Sequence, residues 1–312
     1  MMNSSNNNSP LVSIVVITYN SSKYVVETLE SVKAQTYRNI ELIVSDDCST
    51  DNTVEVCRNW IEENKERFVR TELLTPNKNT GVSANCNRGV KAARGEWVKI
   101  IAGDDLLLDG CVEVNISNLV DGEYFYFSDL KILSNSTLRE ERIRKIVATR
   151  NYYFEGDQFY NFLKYEIGLS SPTWFLNRGE LVKNGCFDET YKHFEDGPLA
   201  FKLLQRGYTF HYIRMETVVY RIHGDSVAYN KGVIVNPLFS ESIRHFMIKE
   251  QIPELKKRKM YLEVWHEYLR LLYMWMAVTL CNKRSLLTIP FKFVFLLSPI
   301  FYMRRFVYTK NQ

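Results

Sequence analysis

Leu11-Val12-Ser13-Ile14-Val15-Val16-Ile17-Thr18 is a short, β-branched run, apolar at nearly every position, and Tyr19-Asn20 follow it. A strand without polar alternation is buried on both faces, as in the centre of a parallel sheet. Ser22 to Gln35 then places Val25, Val26, Leu29 and Val32 at helical spacing. Ile40 to Ser45 (IELIVS) reads as a second buried strand ending at Asp46-Asp47, and Asp51 to Lys65 as a helix. Phe68 to Thr75 is a third strand. Val82 to Arg94 is a helix with Gly95 expected as its C′ cap, and Glu96 to Ala102 is a fourth strand. Strands alternating with helices of this length predict an α/β fold with a Rossmann-like, mostly parallel central sheet flanked by helices.

In such sheets ligands gather outside the carboxyl ends of the strands. Asn20, Asp46, Asp47, Asp104 and Asp105 all fall just past predicted strand ends, so they are expected to form one site. The run Ile100-Ile101-Ala102 delivers Asp104 and Asp105 side by side. Adjacent carboxylates repel, and a divalent cation that also binds phosphate is a natural remedy, although either acid would equally serve as a helix cap. Neither GxGxxG nor GxxxxGK[ST] occurs, so any nucleotide is held otherwise than in dinucleotide-binding or P-loop proteins.

Past residue 125 the alternation weakens. Tyr124 to Ser128 suggests a strand, and residues 129–172 are mixed. From His193 a helix opens at Glu195-Asp196, with Leu199, Leu203 and Leu204 inward and Gly207 at its end. Acidic capping of a helix start is the competing reading of that pair. There is no internal repeat.

Length, 312 residues, suggests two domains or one with an extension. Residues 244–312 carry 13 Lys and Arg against 4 Asp and Glu, a net +9, while the rest of the chain nets −5. The six cysteines form no CxxC pair, which reads as a reduced, cytosolic chain without a zinc site. The first ten residues are polar, lack the apolar core of a signal peptide, and are expected to be disordered. The chain is expected to divide into two parts of the sheet-bearing body (11–125 and 126–230) and a basic, aromatic-rich helical tail (231–312).

The segments SIVVITYN, ELIVSDDCSTDNT, NTGVSANCNRGVKAARGEW, AGDD and FEDGPLAFKLLQRG stand in an order that resembles the inverting family 2 glycosyltransferases of the GT-A fold, over roughly residues 11–225. The resemblance implies a nucleotide-sugar donor, by default a UDP-sugar, and Mn2+ or Mg2+ as cofactor. It implies that Asp47 contacts the base, that Asp46 shapes the turn or touches ribose, and that Thr18, Tyr19, Asn20 and Gly81 line the nucleotide pocket. Asp104 and Asp105 become the metal and diphosphate element, with Asp105 the first choice as direct ligand. Asp196 becomes the catalytic base with Glu195 in support. His223, in Tyr220-Arg221-Ile222-His223, becomes a further metal or diphosphate contact, and Arg221 shares its face of a strand. Ala102 stands where many relatives have a leading Asp, and Cys86 where many have an Arg for which Arg88 is a substitute.

In the tail, Lys256-Lys257-Arg258-Lys259 precedes Tyr261 to Cys281, a helix rich in aromatics, and Leu286 to Met303 is apolar but broken by Pro290, Lys292 and Pro299. Spanning a bilayer takes about 20 mainly apolar residues, so an interfacial segment on an anionic cytoplasmic membrane face is expected over 256–305, with packing on the chain's own body as the alternative. The acceptor is then a saccharide carried on lipid, in surface polysaccharide synthesis. No nucleic-acid module accompanies the basic tail. A sugar nucleotidyltransferase lacks its Gly-rich phosphate loop here, and a catalytically degenerate assembly subunit remains the non-enzymatic reading.

Overall fold

The computed structural model describes residues 9–134, 144–146, 156–165, 169–223, 233–283 and 286–302. The first half follows the sequence pattern: β1 (Val12–Thr18), α1 (Val25–Lys33), β2 (Ile40–Asp46), α2 (Thr53–Asn64), β3 (Arg70–Leu74), α3 (Val82–Ala92) and β4 (Trp97–Ala102). Then come β5 (Leu106–Leu107), α4 (Cys111–Ser117), β6 (Phe125–Ser134), β7 (Arg144–Ile146), α5 (Gln158–Tyr165), β8 (Phe175–Asn177), α6 (Arg178–Lys183), α7 (Asp196–Gln205) and β9 (Phe210–Ile222). The tail forms α8 (Pro237–Phe246), α9 (Ile252–Lys257) and α10 (Tyr261–Thr279).

One sheet runs through the molecule in the order β3-β2-β1-β4-β8-β6-β9-β5, with β7 on β6. The four N-terminal strands are parallel. β8 turns the sheet antiparallel against both β4 and β6, whereas β9 lies parallel to β6 and antiparallel to β5. Alternate residues of β1 feed opposite cores: Val15 joins Ile43, Val98 and Leu199, while Ile14 and Val16 join Leu29, Leu42 and Ile101. The first core also takes Phe246, Ile252, Leu255, Met260 and Val264, so the beginning of the tail is anchored on the body of the molecule.

Two glycines behave differently. Gly207 has φ +86° and follows α7 as the expected left-handed cap. Gly95 does not: the chain leaves α3 through Ala93 in extended conformation, and Gly95 has no positive φ. A Cβ at Gly95 would lie 2.5 Å from Ser13 Oγ and 2.7 Å from Leu11 O. Close approach to β1, not helix capping, is what demands glycine there.

Candidate active site

The loop after β1 and the loop after β2 are stitched together. Asp46 accepts from Thr18 Oγ1 (2.9 Å), Ser49 N (2.8 Å) and Ser49 Oγ (2.5 Å), so it shapes the turn. Asn20, at φ 52°, receives Thr50 N–H on Oδ1 at 2.8 Å and donates its own N–H to Ser49 Oγ at 2.8 Å. Thr18 is buried, whereas Tyr19 is 49% exposed beside it and offers a free ring face.

Asp47 follows β2 directly. Only 3% exposed, its carboxylate accepts from Thr80 N and Oγ1, from Gly81 N at 2.7 Å and from Arg88 Nη2 at 3.1 Å. These bonds fix it against the Thr80–Gly81 turn. Gly81 has φ +92° and starts α3 against Lys192, whose carbonyl accepts Val82 N–H at 2.8 Å. Arg88 does reach the site, since it also bonds Thr80 Oγ1, Asn85 Oδ1 and Asp46 O within 3.0 Å. Cys86, where an Arg was expected, is buried. Burial raises its thiol pKa, and the charges of Glu195, Asp196 and Asp47 raise it further.

Asp104 and Asp105 part company. Asp105 is 2% exposed and takes the N–H of Arg221 on Oδ1 at 2.8 Å. Burial and the neighbouring Asp104 charge push its carboxyl well above the usual range. Asp104 keeps 28% of its side chain exposed, and its Oδ2 lies 2.8 Å from His223 Nε2. Asp104 is thus the more accessible carboxylate of the two, with His223 beside it. Arg221 and His223 do share a face, and Arg221 braces the turn. Its Nε donates to Asp104 O (2.8 Å), its Nη2 pairs with Glu27 (2.6 Å), and its guanidinium lies 4.8 Å from the Tyr24 ring centre.

Glu195 and Asp196 open α7. Both keep a solvent-facing edge, yet protein atoms crowd around them. Desolvation and the Asp196 charge raise Glu195 to about 8. Desolvation also raises Asp196, against the opposing pull of the Gly197 N–H (2.7 Å) and the Ser171 hydroxyl. Leu199, Leu203 and Leu204 are buried as expected. Tyr220, raised to about 12 chiefly by burial, also feels the charges of Asp105, Asp104, Asp196 and Glu195, so both acid pairs lie within electrostatic reach of it.

Thr80 and Tyr220 lie inside the quoted motifs without an assigned role, and Ser171 and Glu27 lie in none. Lys99 did leave a signal, a lysine inside the apolar strand β4. Its buried Nζ donates to Pro172 O (2.6 Å) and Trp174 O (3.2 Å). Trp174 is 3% exposed and packs on Phe210 in the core, so it offers no face to a sugar. Residues 1–8 lie outside the described residues, as do the aromatic residues Tyr152, Tyr153 and Phe154. Among the described residues no group of three or more His, Cys, Asp or Glu converges as a complete metal cage, and all six cysteines are free.

Residues 13–185 match the family described as Glycosyl transferase family 2. That is more than half of the chain, and the chain belongs to this family. It is 35% identical over 200 residues to the glycosyltransferase GlyG of Streptococcus pneumoniae, a match spanning 61% of each protein. It is 29% identical over 242 residues, 78% of this chain and 86% of the other, to WfaP of Escherichia coli, a UDP-Glc:alpha-D-GlcNAc-diphosphoundecaprenol beta-1,3-glucosyltransferase. Among solved structures it resembles Staphylococcus aureus TarS 1-349 in complex with UDP-GlcNAc, with a TM-score of 0.58 at 19% identity over 85% of this chain and 72% of that one. That likeness shows the fold, the GT-A arrangement of a curled sheet flanked by helices.

Proposed function

We propose that this chain is an inverting, metal-dependent glycosyltransferase that moves a sugar from a nucleotide-sugar, by default a UDP-sugar, to a hydroxyl of a lipid-linked saccharide. Surface polysaccharide synthesis at the cytoplasmic membrane face is the setting this reading implies. The observation that carries it is the part-exposed Asp104 carboxylate 2.8 Å from His223 Nε2, with the Glu195-Asp196 pair at the start of α7 near enough for all four acids to act on Tyr220. The E. coli relative, which acts on a diphosphoundecaprenol-linked sugar, supports the acceptor class.

Asp104 Oδ2 and His223 Nε2, 2.8 Å apart with Asp104 part exposed, are an oxygen and a nitrogen donor that would together hold a divalent cation. Mn2+ or Mg2+ held there would neutralise the charge that develops on the leaving nucleoside diphosphate. Arg221 and buried Asp105 hold the Asp104 turn in place. The Asp46–Ser49–Asn20 stitch and the Asp47–Thr80–Gly81–Arg88 cluster form two walls of the nucleoside pocket. The Asp196 carboxylate takes the proton of the acceptor hydroxyl as it attacks the anomeric carbon, which is general-base catalysis. A single displacement inverts that carbon, and Glu195 supports the base.

A thermal-shift screen of UDP, GDP, CMP and dTDP, each with and without Mn2+ or Mg2+, tests the donor site, because a ligand of the native state raises stability by mass action. Metal-dependent protection by one nucleotide, followed by transfer from its sugar, is expected. Well-folded protein that no nucleotide protects would turn the reading toward a non-catalytic assembly subunit.

A further inference from the structure

Helix α10 is apolar on both sides. Its inward face buries Val264, Leu269, Met274 and Ala277 together with Glu263, His266 and Glu267, while its outward face carries Tyr261, Trp265, Tyr268, Leu272 and Trp275, each between 42% and 66% exposed. Steps of four, three, four and three place these five in a single stripe. The inward charges have partners: His266 Nδ1 lies 2.7 Å from Ser298 Oγ, and Arg270 meets Glu267 at 2.9 Å. Residues 286–302 lie alongside, tied by Trp265 Nε1 to Leu297 O at 3.0 Å, and add a second row in Phe293, Leu296 and Leu297. Thirteen of the 22 exposed large apolar residues among the described residues fall between 261 and 302, so this is one patch and not ordinary scatter.

Charge decides what covers it. Lys256, Lys257 and Lys259 are exposed just before the stripe, Lys292 stands in the second row, and residues 244–312 net +9. A second copy of the chain would bring two basic rims together, whereas an anionic bilayer complements them. Trp and Tyr favour the headgroup level, and no described helix is long and apolar enough to cross a membrane. We propose that the Tyr261–Trp275 stripe and the Phe293–Leu297 row dock on the headgroup region of an anionic bilayer, with α10 lying along its surface. The proposal rests on the lipid-linked acceptor reading only for its purpose, and the two fail separately.

Flotation of the full chain with vesicles of phosphatidylglycerol and phosphatidylethanolamine, against phosphatidylcholine alone, tests it. Binding to the anionic vesicles with a blue shift of tryptophan emission is expected. The double substitution Leu272→Ser, Trp275→Ser should cut partitioning by roughly tenfold or more, and Lys256→Gln with Lys257→Gln and Lys259→Gln should abolish its salt sensitivity. Nucleotide protection in the thermal-shift assay should stay unchanged in both variants and reports that they fold. Absence of flotation, or flotation that the double substitution leaves intact, overturns the proposal. So does a dimer by light scattering that the double substitution converts to monomer, which would assign the face to a second copy. Loss of all sugar transfer in vesicle-bound protein would instead overturn the transferase reading and leave the docking face standing.

Discussion

His223 Nε2 stands 2.8 Å from Asp104 Oδ2, joining the residue just past β9 to the turn after β4. The contact brings together groups 119 residues apart, and it leaves Asp105 behind, closed in by Arg221 N–H. Asp104→Asn and His223→Ala should each lower kcat/KM by about 100-fold or more, because several kcal/mol of charge stabilisation is at stake. Asp105→Asn retains an oxygen for Arg221 and should keep metal activation within about tenfold of wild type. Titration of Mn2+ in the presence of UDP ranks the three, and a larger defect in Asp105→Asn than in Asp104→Asn would sink the assignment.

Asp196→Asn should lower kcat by about 10²- to 10⁴-fold, the usual worth of a general base, and keep nucleotide protection intact. Near-normal turnover in that variant would remove Asp196 from the chemistry.

The raised carboxyls at Glu195 and Asp196 set the pH dependence. A base works only when deprotonated, so the acidic limb of kcat/KM should fall above the ordinary carboxylate range. For stability, the folded state holds its proton where the unfolded chain has lost it. The pair therefore contributes stability that is fully present below the unfolded pKa and is lost as pH rises through about 8. Glu195→Gln removes that loss, so its Tm should gain on wild type as pH rises from the ordinary carboxylate range to about 8 and level off above it. A Tm difference that is flat across this window would contradict the origin given for the shift.

β1, β2 and β4 are legible in the sequence because each is mostly apolar chain between turn signals and is buried on both faces. β3, with the sequence RTELL and half-buried at the sheet edge, is legible only from the alternation of strands and helices around it. The antiparallel half is not, because β8 has only Phe175–Asn177 and too few residues to show a period. Its place between β4 and β6 is fixed by pairing with residues far away in the chain. The acids just past β2 and β4 were legible as a cluster, but their division of labour was not. Whether Asp104 or Asp105 faces solvent depends on Arg221, 116 residues beyond Asp105, and whether Asp47 is free depends on the Thr80–Gly81 turn. Neighbouring identical letters carry no record of such partners.

Arg88 spans Asp47, Thr80, Asn85 and the Asp46 carbonyl with a planar fork. Arg88→Lys keeps the charge but not the fork, so it should behave nearly as Arg88→Ala. Each should abolish nucleotide protection and cost about 1.5–3 kcal/mol of stability for the lost charged hydrogen bonds. Denaturant unfolding measures the second effect, and full rescue by lysine would show that only the charge matters.

Lys99 links strand β4 to the turn that touches the catalytic base. Its Nζ holds the carbonyls of Pro172 and Trp174, and Ser171 in the same turn bonds Asp196. Burial lowers Lys99 to about 8. Between pH 8 and 10.5 the unfolded chain thus binds a proton that the folded chain has released, and stability from this group rises with pH across that window. Lys99→Met orphans two buried carbonyls, at about 1–3 kcal/mol each, and removes the titration. Its Tm should therefore lie below wild type, by a margin that widens from pH 8 to 10.5. Its kcat should fall more than its nucleotide affinity, because the slackened turn sits beside Asp196 and not beside the nucleoside walls. A Tm gap that narrows with pH, or a loss confined to nucleotide affinity, would show that Lys99 does neither job.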